Sequence, residues 1–183
     1  MTYKLKVAGL ERELPLCKIS DDLYIAAFIM FGDVEMTVTC ARELLKRAPE
    51  CDIMITAESK GIPLLYEMAK QAGMNDYVVA RKGPKLYMQN VIYTEVNSIT
   101  TEDKQILCVG GDKAESMKGK RVLIIDDVIS TGESLAALEK LIDEVGGEVV
   151  GRMAVLAEGD AIARKDITYL APLPLFHEDG TEK

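Results

Sequence analysis

The segment that most constrains the fold spans residues 121–134 and reads RVLIIDDVISTGES. Its apolar residues run into two adjacent aspartates, Asp126 and Asp127, and a polar Ser-Thr-Gly-Glu-Ser turn follows. An unbroken apolar run is typical of a strand buried on both faces, as in a parallel sheet covered by helices. After the turn, Leu135, Leu138 and Leu141 recur at helical spacing. The segment therefore predicts a strand, a loop and a helix.

Other parts of the chain repeat this alternation of strand and helix. DIMITA (52–57) predicts a strand, IPLLYEMAKQAG a helix with Pro63 in its first turn and Gly73 at its end, and YVVARK (77–82) the next strand. Asp33 is the expected N-cap of an earlier helix, and EVVGRMAVLAEG and ITYLAPLPLF predict later strands. Two strands joined by a helix within about 30 residues pair in parallel. The predicted fold is α/β, with a mainly parallel central sheet flanked by helices.

Two parts of the chain fall outside this pattern. The alternation of Tyr3, Leu5 and Val7 predicts short strands at the N-terminus. Residues 82–120 lack a strong helical period, and within them NVIYTEVNSI and KQILCV predict a hairpin across the polar turn TTED. A long insertion between α/β units is more often functional than decorative. Since 183 residues suit one domain with a real core, we expect a single domain over residues 1–183.

Composition argues against several classes of partner. The net charge of −8 argues against nucleic acid and against an anionic membrane surface. No apolar run approaches the roughly 20 residues that cross a bilayer, and the N-terminus lacks the apolar core of a signal peptide. The cysteines are far apart and form no C-x-x-C pair, which indicates reduced thiols of a cytosolic protein rather than structural zinc: Cys17, Cys40, Cys51 and Cys108.

The acidic pair and the turn after it together describe one kind of ligand. Ligands of open α/β sheets bind beyond the carboxyl ends of the strands, where Asp126 and Asp127 are expected. The hydroxyls of Ser130, Thr131 and Ser134, with the amides of a helix N-terminus, suit a phosphate. Carboxylates accept hydrogen bonds from vicinal hydroxyls and attract Mg²⁺. The segment thus predicts a sugar phosphate site, the alternative being that Asp126 caps the helix and Asp127 is solvated.

The same residues carry a family resemblance. VLIIDDVISTGES resembles the motif that binds 5-phosphoribosyl 1-diphosphate (PRPP) in type I phosphoribosyltransferases. ITAESKG resembles the diphosphate-binding loop of that family, and VVARKGPKL is similar to a segment of its adenine and xanthine enzymes. YLAPLPLF resembles the C-terminal tail of adenine phosphoribosyltransferases. These matches follow the family order over residues 52–176.

The resemblance implies a role for particular residues. Asp126 and Asp127 would hold the ribose hydroxyls directly or through Mg²⁺, and with Arg81 and Lys85 would form the catalytic set. The loop for the 5-phosphate would be Ser130, Thr131, Gly132, Glu133 and Ser134. The diphosphate would meet Glu58, Ser59, Lys60, Gly61, Arg81, Lys82 and Lys85. Glu58 has an alternative role as a helix cap.

The resemblance also implies an activity and an assembly. The chain would be a purine phosphoribosyltransferase of purine salvage, a homodimer that makes a nucleoside 5-monophosphate and diphosphate from PRPP and a base, with Mg²⁺ as cofactor. Residues 1–32 and 171–183 would form a hood that helps to bind the base, and residues 83–110 a flexible lid that excludes water.

Three departures from the family pattern bear on the substrate. Glu133 stands where adenine enzymes have Gly, and its side chain is expected to point away from the phosphate. Lys60 replaces an Arg, which keeps the charge but loses the fork geometry. The lid lacks the Glu-Tyr-Gly of adenine enzymes and is more similar to that of xanthine phosphoribosyltransferases and of the purine-operon repressor.

The base is the least constrained part of this prediction. Phe28 and Phe176 are the candidates for a flat apolar slot, with ordinary core packing as the alternative for each. The segment YIAAFIMFG has no Asn, Gln, Arg or Lys to donate to the carbonyls of xanthine, so we favour adenine, with AMP as the product, over xanthine or guanine. The alternative class is a non-catalytic PRPP-sensing regulator, although we expect no room for a helix-turn-helix domain.

Overall fold

The computed structural model describes residues 1–97 and 104–183. Its strands, in chain order, are β1 (Thr2–Val7), β2 (Leu10–Ser20), β3 (Leu23–Ala26), β4 (Ile53–Ala57), β5 (Val78–Ala80), β6 (Ile92–Asn97), β7 (Lys104–Val109), β8 (Arg121–Ile129), β9 (Glu148–Glu158), β10 (Thr168–Leu173) and β11 (Leu175–Phe176). Its helices are α1 (Val34–Leu45), α2 (Ile62–Gln71), α3 (Gly111–Met117) and α4 (Glu133–Glu144), with a 3₁₀ helix at Gly159–Ala163.

The centre of the molecule is a parallel sheet with the strand order β10-β9-β8-β4-β5. Leu123 and Ile125 of β8 pack into a core that includes residues of α1 and α2, whereas Val122 and Ile124 pack into a second core with residues of α3 and α4. Helices therefore cover both faces of the sheet, which is why its central strand reads as a continuous apolar run. The α/β fold class is confirmed.

Local signals set the ends of the helices. The carboxylate of Asp33 accepts a hydrogen bond from the Met36 amide at 3.0 Å, so it caps α1 as expected. Pro63 lies in the first turn of α2, where its missing amide hydrogen breaks no helical bond. Gly73 follows the C-cap of that helix with a φ of +72°. Within the described ranges, no helix is long and apolar enough to cross a membrane.

A second, antiparallel sheet joins the two ends of the chain. Its strand order is β1-β2-β3-β11, and Leu175 and Phe176 of β11 pair with Ile25 and Tyr24 of β3. Since β11 begins just after the carboxyl end of β10, this sheet lies at the carboxyl edge of the central one. We call this second sheet the hood.

The insertion contains the expected hairpin and one helix that the sequence did not indicate. β6 and β7 pair antiparallel from Ile92↔Val109 to Asn97↔Lys104, while the TTED turn (100–103) lies outside the described residues. The expectation of an insertion without helix is wrong at α3, which buries Ala114 and Met117. Two buried positions in so short a helix are too few to produce a visible period.

Candidate active site

A crevice opens between β4 and β8 at the carboxyl edge of the central sheet. The two strands pair only as far as Ile55↔Ile124, whereas β8 continues along β9 to Ile129↔Ala157. After β4 the chain continues to β5 on one side of the crevice, and after β8 it continues to β9 on the other side. Such a switch point is where ligands bind in open α/β sheets. The strand expected to end at Asp126 is therefore longer, because β9 supports it beyond the aspartates.

The two aspartates differ in their surroundings. Asp127 is 3% exposed, and within residues 1–97 and 104–183 its buried Oδ2 has no hydrogen-bond partner, although the ammonium group of Lys60 lies 3.3 Å away. Asp126 Oδ1 accepts a hydrogen bond from the Asp127 amide at 2.9 Å. Burial raises the pKa of Asp126 well above its ordinary value, and the negative charge of Asp127 adds to this effect.

The alternative in which these aspartates cap a helix and are solvated is wrong. The N-cap of α4 is Gly132, without a side-chain cap, and Asp127 is buried. Placing two adjacent carboxylates in a crevice is costly, since burial disfavours the charged form. A buried carboxylate oxygen that lacks a hydrogen-bond partner is therefore typical of a site that receives a ligand.

The loop at residues 58–61 lies directly against the acidic pair. A β-carbon built on Gly61 would lie 2.4 Å from Thr56 Oγ1 and 3.2 Å from Asp126 Oδ1, so only glycine allows this approach. The peptide bond between Glu58 and Ser59 is cis. Gly61 is also the N-cap of α2, which brings the amides of that helix end toward the crevice.

Glu58 joins this loop to the end of β5. Its Oε1 accepts a hydrogen bond from the Lys82 amide at 2.6 Å, and its Oε2 forms an ion pair with Arg81 Nε at 2.9 Å. The alternative role of Glu58 as a cap of α2 is wrong, since that helix has no side-chain cap. Lys85 lies in the exposed segment beyond, where its carbonyl accepts from the Met88 amide at 2.9 Å.

The turn after β8 encloses a small cavity of about 110 Å³ lined by Asp126 and residues 128–135. The sharp bend falls at Gly132, whose φ of +82° lies in the left-handed region. Glu133 begins α4, so its amide and those after it belong to the first turn, whose amides have no carbonyl partner four residues earlier within the helix; the Glu133 amide donates to Thr131 Oγ1 at 3.5 Å. This loop, residues 130–134, thus has the shape and polarity of an anion site, and we call it the phosphate loop.

The structure buries both aromatic residues that were candidates for the base. Phe28 is 5% exposed and Phe176 1% exposed, and the Phe176 ring packs against Tyr3 with 5.1 Å between ring centroids. Ile29 and Phe31 were not among the predicted site residues, and they are 60% and 52% exposed. The signal that indicates them is the alternation of an extended segment, in which Phe28 and Met30 face the core and their neighbours face outward.

The path of the chain places Phe31 at the edge of the sheet where the crevice opens. The chain passes from β3, which pairs with β11 at the carboxyl edge of β10, to the N-terminus of α1. The C-terminus of α1 lies at the opposite edge, where Arg47 Nη1 donates to the carbonyl of Tyr169 near the start of β10 at 3.1 Å. Residues 27–33 therefore lie at the same edge of the sheet as Asp126.

Comparisons with known proteins agree with this geometry. The family model for the phosphoribosyl transferase domain matches residues 41–172. A hypoxanthine/guanine phosphoribosyltransferase of Methanosarcina mazei is 34% identical over 132 residues, which are 72% of this chain and 66% of that protein. The match thus spans about two thirds of the length of that relative.

Other relatives carry different names at similar identity. An adenine phosphoribosyltransferase of Agathobacter rectalis is 32% identical over 147 residues, covering 71% of this chain and 76% of that protein. The purine biosynthesis transcriptional repressor PurR of Bacillus subtilis is 29% identical over 135 residues, covering 73% of this chain and 46% of that protein. These relatives leave the preferred base open.

Solved structures share the fold. A crystal structure of adenine phosphoribosyltransferase from Saccharomyces cerevisiae superposes with a TM-score of 0.68 at 18% identity, covering 86% of this chain and 92% of that one. One from Giardia lamblia gives a TM-score of 0.66 at 16% identity, covering 94% and 93%.

Proposed function

The chain belongs to the phosphoribosyltransferase family, and we propose that it transfers the 5-phosphoribosyl group of PRPP to a purine base and releases diphosphate. The observation that carries the proposal is the acidic pair in the crevice, between two loops that suit anions. Asp127 Oδ2 is buried and has no hydrogen-bond partner among the described residues, Gly61 packs on Asp126, and the phosphate loop follows directly in the chain. PRPP has hydroxyls between two phosphate groups, which matches this order.

The reaction breaks the bond from C1 of the ribose to diphosphate and forms one to a ring nitrogen of the purine, which loses its proton. Asp126 and Asp127 bind the ribose hydroxyls and favour the positive charge that develops at C1. Lys60 and Arg81 offset the charge that accumulates on the leaving diphosphate. Arg81 is held for this role by the carboxylate of Glu58, 2.9 Å away. The chemistry needs position and charge rather than a covalent intermediate.

The acidic pair also suits the Mg²⁺ that the family resemblance implies. Asp126 and Asp127 offer hard carboxylate oxygens, and one of them, Asp127 Oδ2, is buried without a hydrogen-bond partner. These residues would hold the ion through the ribose hydroxyls or water, and the ion would supply neutralising charge to the diphosphate. The side chains of Asp126 and Asp127 bind and orient the sugar.

We propose adenine as the preferred base, with hypoxanthine and guanine as the second candidates. Support for adenine is that residues 24–32 hold no Asn, Gln, Arg or Lys to donate to a purine carbonyl. Support for the alternative is the Methanosarcina mazei relative, whose name gives those bases. The tail gives adenine less support than expected, because the carbonyls of Leu175 and His177 accept hydrogen bonds from the Lys183 and Gly180 amides.

Phe31 is the residue that we propose as the face on which the base stacks. It is about half exposed and lies at the carboxyl edge of the sheet, whereas Phe28 and Phe176 fill the core between the hood and α1. An exposed aromatic ring near a polar site offers a flat apolar surface, and base stacking on such rings is worth about 1–3 kcal/mol. Phe28 and Phe176 stay candidates for shaping the slot.

We also propose that the chain works as a homodimer through the outer edge of the sheet. A cavity of about 700 Å³ lies beside β5, lined in part by Tyr77 and Tyr87. The exposed side chains of Leu86 and Tyr87 adjoin it, and exposed Tyr66 meets the ring of Tyr77 edge-on with 6.4 Å between centroids. Exposed apolar patches of this kind mark interfaces. Light scattering should give a dimer mass for the wild type and a monomer mass for Leu86→Asp.

A regulator that binds PRPP without catalysis is the second candidate function. The observation that favours it is the likeness to the Bacillus subtilis repressor, which matches 73% of this chain. Such a protein needs the acidic pair and the phosphate loop but no base site. An exposed apolar pair at Ile29 and Phe31 beside the crevice favours the enzyme.

Product analysis tests the proposed function. The protein is incubated with PRPP, MgCl₂ and one base at a time from adenine, hypoxanthine, guanine, xanthine, uracil and orotate, and nucleotides are separated by chromatography. We expect a purine nucleoside 5-monophosphate, formed fastest from adenine. Faster turnover of hypoxanthine or guanine would reverse the base preference alone. Turnover of only uracil or orotate would overturn the proposed function.

A further inference from the structure

An arginine from a neighbouring loop lies against the phosphate loop. Because β8 and β9 are adjacent parallel strands, the loops that follow them lie side by side at the carboxyl edge. The loop after β9 forms the 3₁₀ helix Gly159–Ala163 and continues into Arg164. A β-carbon built on Gly132 would lie 2.6 Å from Nη1 of Arg164. The guanidinium group therefore touches the backbone of the phosphate loop at its sharpest bend.

The guanidinium group is fixed in this place by a second residue. Asp166 accepts from Arg164 Nε at 3.0 Å and from Nη2 at 2.6 Å, which is the two-point geometry of an Arg–carboxylate fork. The main-chain amide of Arg164 also donates to the carbonyl of Ala161 at 3.1 Å. The fork occupies the edge formed by Nε and Nη2, so the edge that carries Nη1 is the one turned toward Gly132.

The charge of the phosphate loop indicates what an arginine at this position contributes. Residues 130–134 contain the acidic Glu133 and no basic residue, yet the loop is proposed to hold a phosphate dianion. The N-terminus of α4 contributes only about half a positive charge. The guanidinium group against Gly132 adds positive charge beside the bend, and the carboxylate of Asp166 on the edge formed by Nε and Nη2 offsets part of it. The guanidinium group remains ionised at every working pH, and it holds the pKa of Asp166 at about 2.

We propose that Arg164 is a positioning residue for the 5-phosphate of PRPP: it braces the bend at Gly132, so that the loop keeps the arrangement that receives the phosphate, and it places a cation beside a loop that has no basic residue. The inference rests on the proposed function for the identity of the ligand. It assigns the phosphate end of the site a cation that does not belong to the acidic pair or to the diphosphate loop. It also accounts for glycine at position 132, where any side chain would displace the guanidinium group.

The test compares two arginines in similar pairs at opposite edges of the sheet. Arg121 at the start of β8 forms the same kind of fork, with Asp52, at 3.2 Å from Nε and 2.9 Å from Nη2, and so provides the control. Affinities for ribose 5-phosphate and for diphosphate are measured by calorimetry, and KM for PRPP and kcat by turnover. The proteins are the wild type, Arg164→Gln, Arg164→Lys and Arg121→Gln.

We expect Arg164→Gln to bind ribose 5-phosphate about tenfold more weakly, because the bend at Gly132 loses its support and the neighbouring cation, with diphosphate affinity unchanged. KM for PRPP should rise by about the same factor while kcat changes by less than about threefold. Arg164→Lys should recover part of the loss, and Arg121→Gln should match the wild type. This pattern separates a residue that positions the phosphate loop from a merely structural ion pair.

Two results would overturn the proposal. One is unchanged affinity of Arg164→Gln for ribose 5-phosphate, and the other is an equal loss for ribose 5-phosphate and diphosphate. If Arg164→Gln does not fold, Arg164→Lys decides, because full wild-type affinity for diphosphate with reduced affinity for ribose 5-phosphate is still required of it. A wild type that binds ribose 5-phosphate through Arg164 but turns over no base would overturn the proposed function and support this inference.

Discussion

The region proposed for the sugar and phosphates and the region proposed for the base are built in different ways. The first comes mainly from one continuous segment, in which Asp126 and Asp127 of β8 lead directly into the phosphate loop. The second lies where two distant parts of the chain meet, since β3 pairs with β11 before the chain reaches Phe31. The first region can be recognised from a motif, whereas the second depends on which side of an extended segment faces the core.

This difference teaches where the substrate preference is decided. The acidic pair and the phosphate loop are proposed to bind the ribose phosphate, which is the same whichever base reacts. Residues 27–33 are proposed to contact only the base, and relatives of similar identity carry the names of different bases. Substitutions in the first region should therefore affect all substrates equally, and those in the second should change their ranking.

The largest effect is expected at Asp127. Asp127→Asn keeps the size of the side chain but removes the charge that is buried beside Lys60. We expect kcat/KM to fall at least about 100-fold for every base tested, because the lost interaction matters most in the transition state. Circular dichroism should show an intact fold. Near-normal turnover by a folded variant would remove Asp127 from the site.

The next effect separates two phenylalanines that are three positions apart. Phe28→Ala should destabilise the protein by about 3–5 kcal/mol, since it opens a cavity in the core. Phe31→Ala should change stability little but raise KM for the base about tenfold, with KM for PRPP unchanged. Denaturant unfolding and steady-state kinetics provide the two measurements. An unchanged KM for the base in Phe31→Ala would return the base slot to Phe28 and Phe176.

A smaller effect concerns the stability of the acidic pair without ligand. The raised pKa of Asp126 means that the folded protein binds a proton more tightly than the unfolded chain, whose carboxyl has a pKa near 3.8. Stability is therefore lost as the pH rises through the folded pKa. Asp126→Asn avoids this loss, so at pH 8 in EDTA its Tm should exceed that of the wild type by a few degrees, at about 2–4 °C per kcal/mol.

The control for this prediction is pH itself. Well below pH 3.8 the carboxyl is protonated in both states, so the difference in Tm between Asp126→Asn and the wild type should shrink there. A lower Tm for Asp126→Asn at pH 8 would contradict the view that a site is maintained here at the expense of stability.

Much of the fold followed from local signals. The apolar run of β8, the cap at Asp33 and Pro63 in the first turn of α2 act through near neighbours in the chain, so the sequence predicted them. The sequence did not predict the far end of β8, because two adjacent aspartates are typical of the end of a strand. It is the neighbouring strand β9 that carries the ladder on to Ile129.

The site was predictable to the same extent and for the same reason. The acidic pair and the phosphate loop are contiguous, so their joint role could be inferred. Only the alternative role of Glu58 as a helix cap was wrong, because its partner, the Lys82 amide, is 24 positions away and is brought close only by the pairing of β4 with β5. The contact of Arg164 with Gly132 likewise depends on the order of β8 and β9 in the sheet.

The most direct test of the central claim is the release of diphosphate from PRPP, measured with and without a base. We expect diphosphate to be released only when a purine is present, and at a higher rate with adenine than with uracil. The release should be nearly abolished in Asp127→Asn. The melting temperature with PRPP and Mg²⁺ should rise in the same samples, since PRPP binds only the folded protein. A rise in melting temperature without release of diphosphate from any base would contradict the claim and identify a PRPP-binding regulator instead.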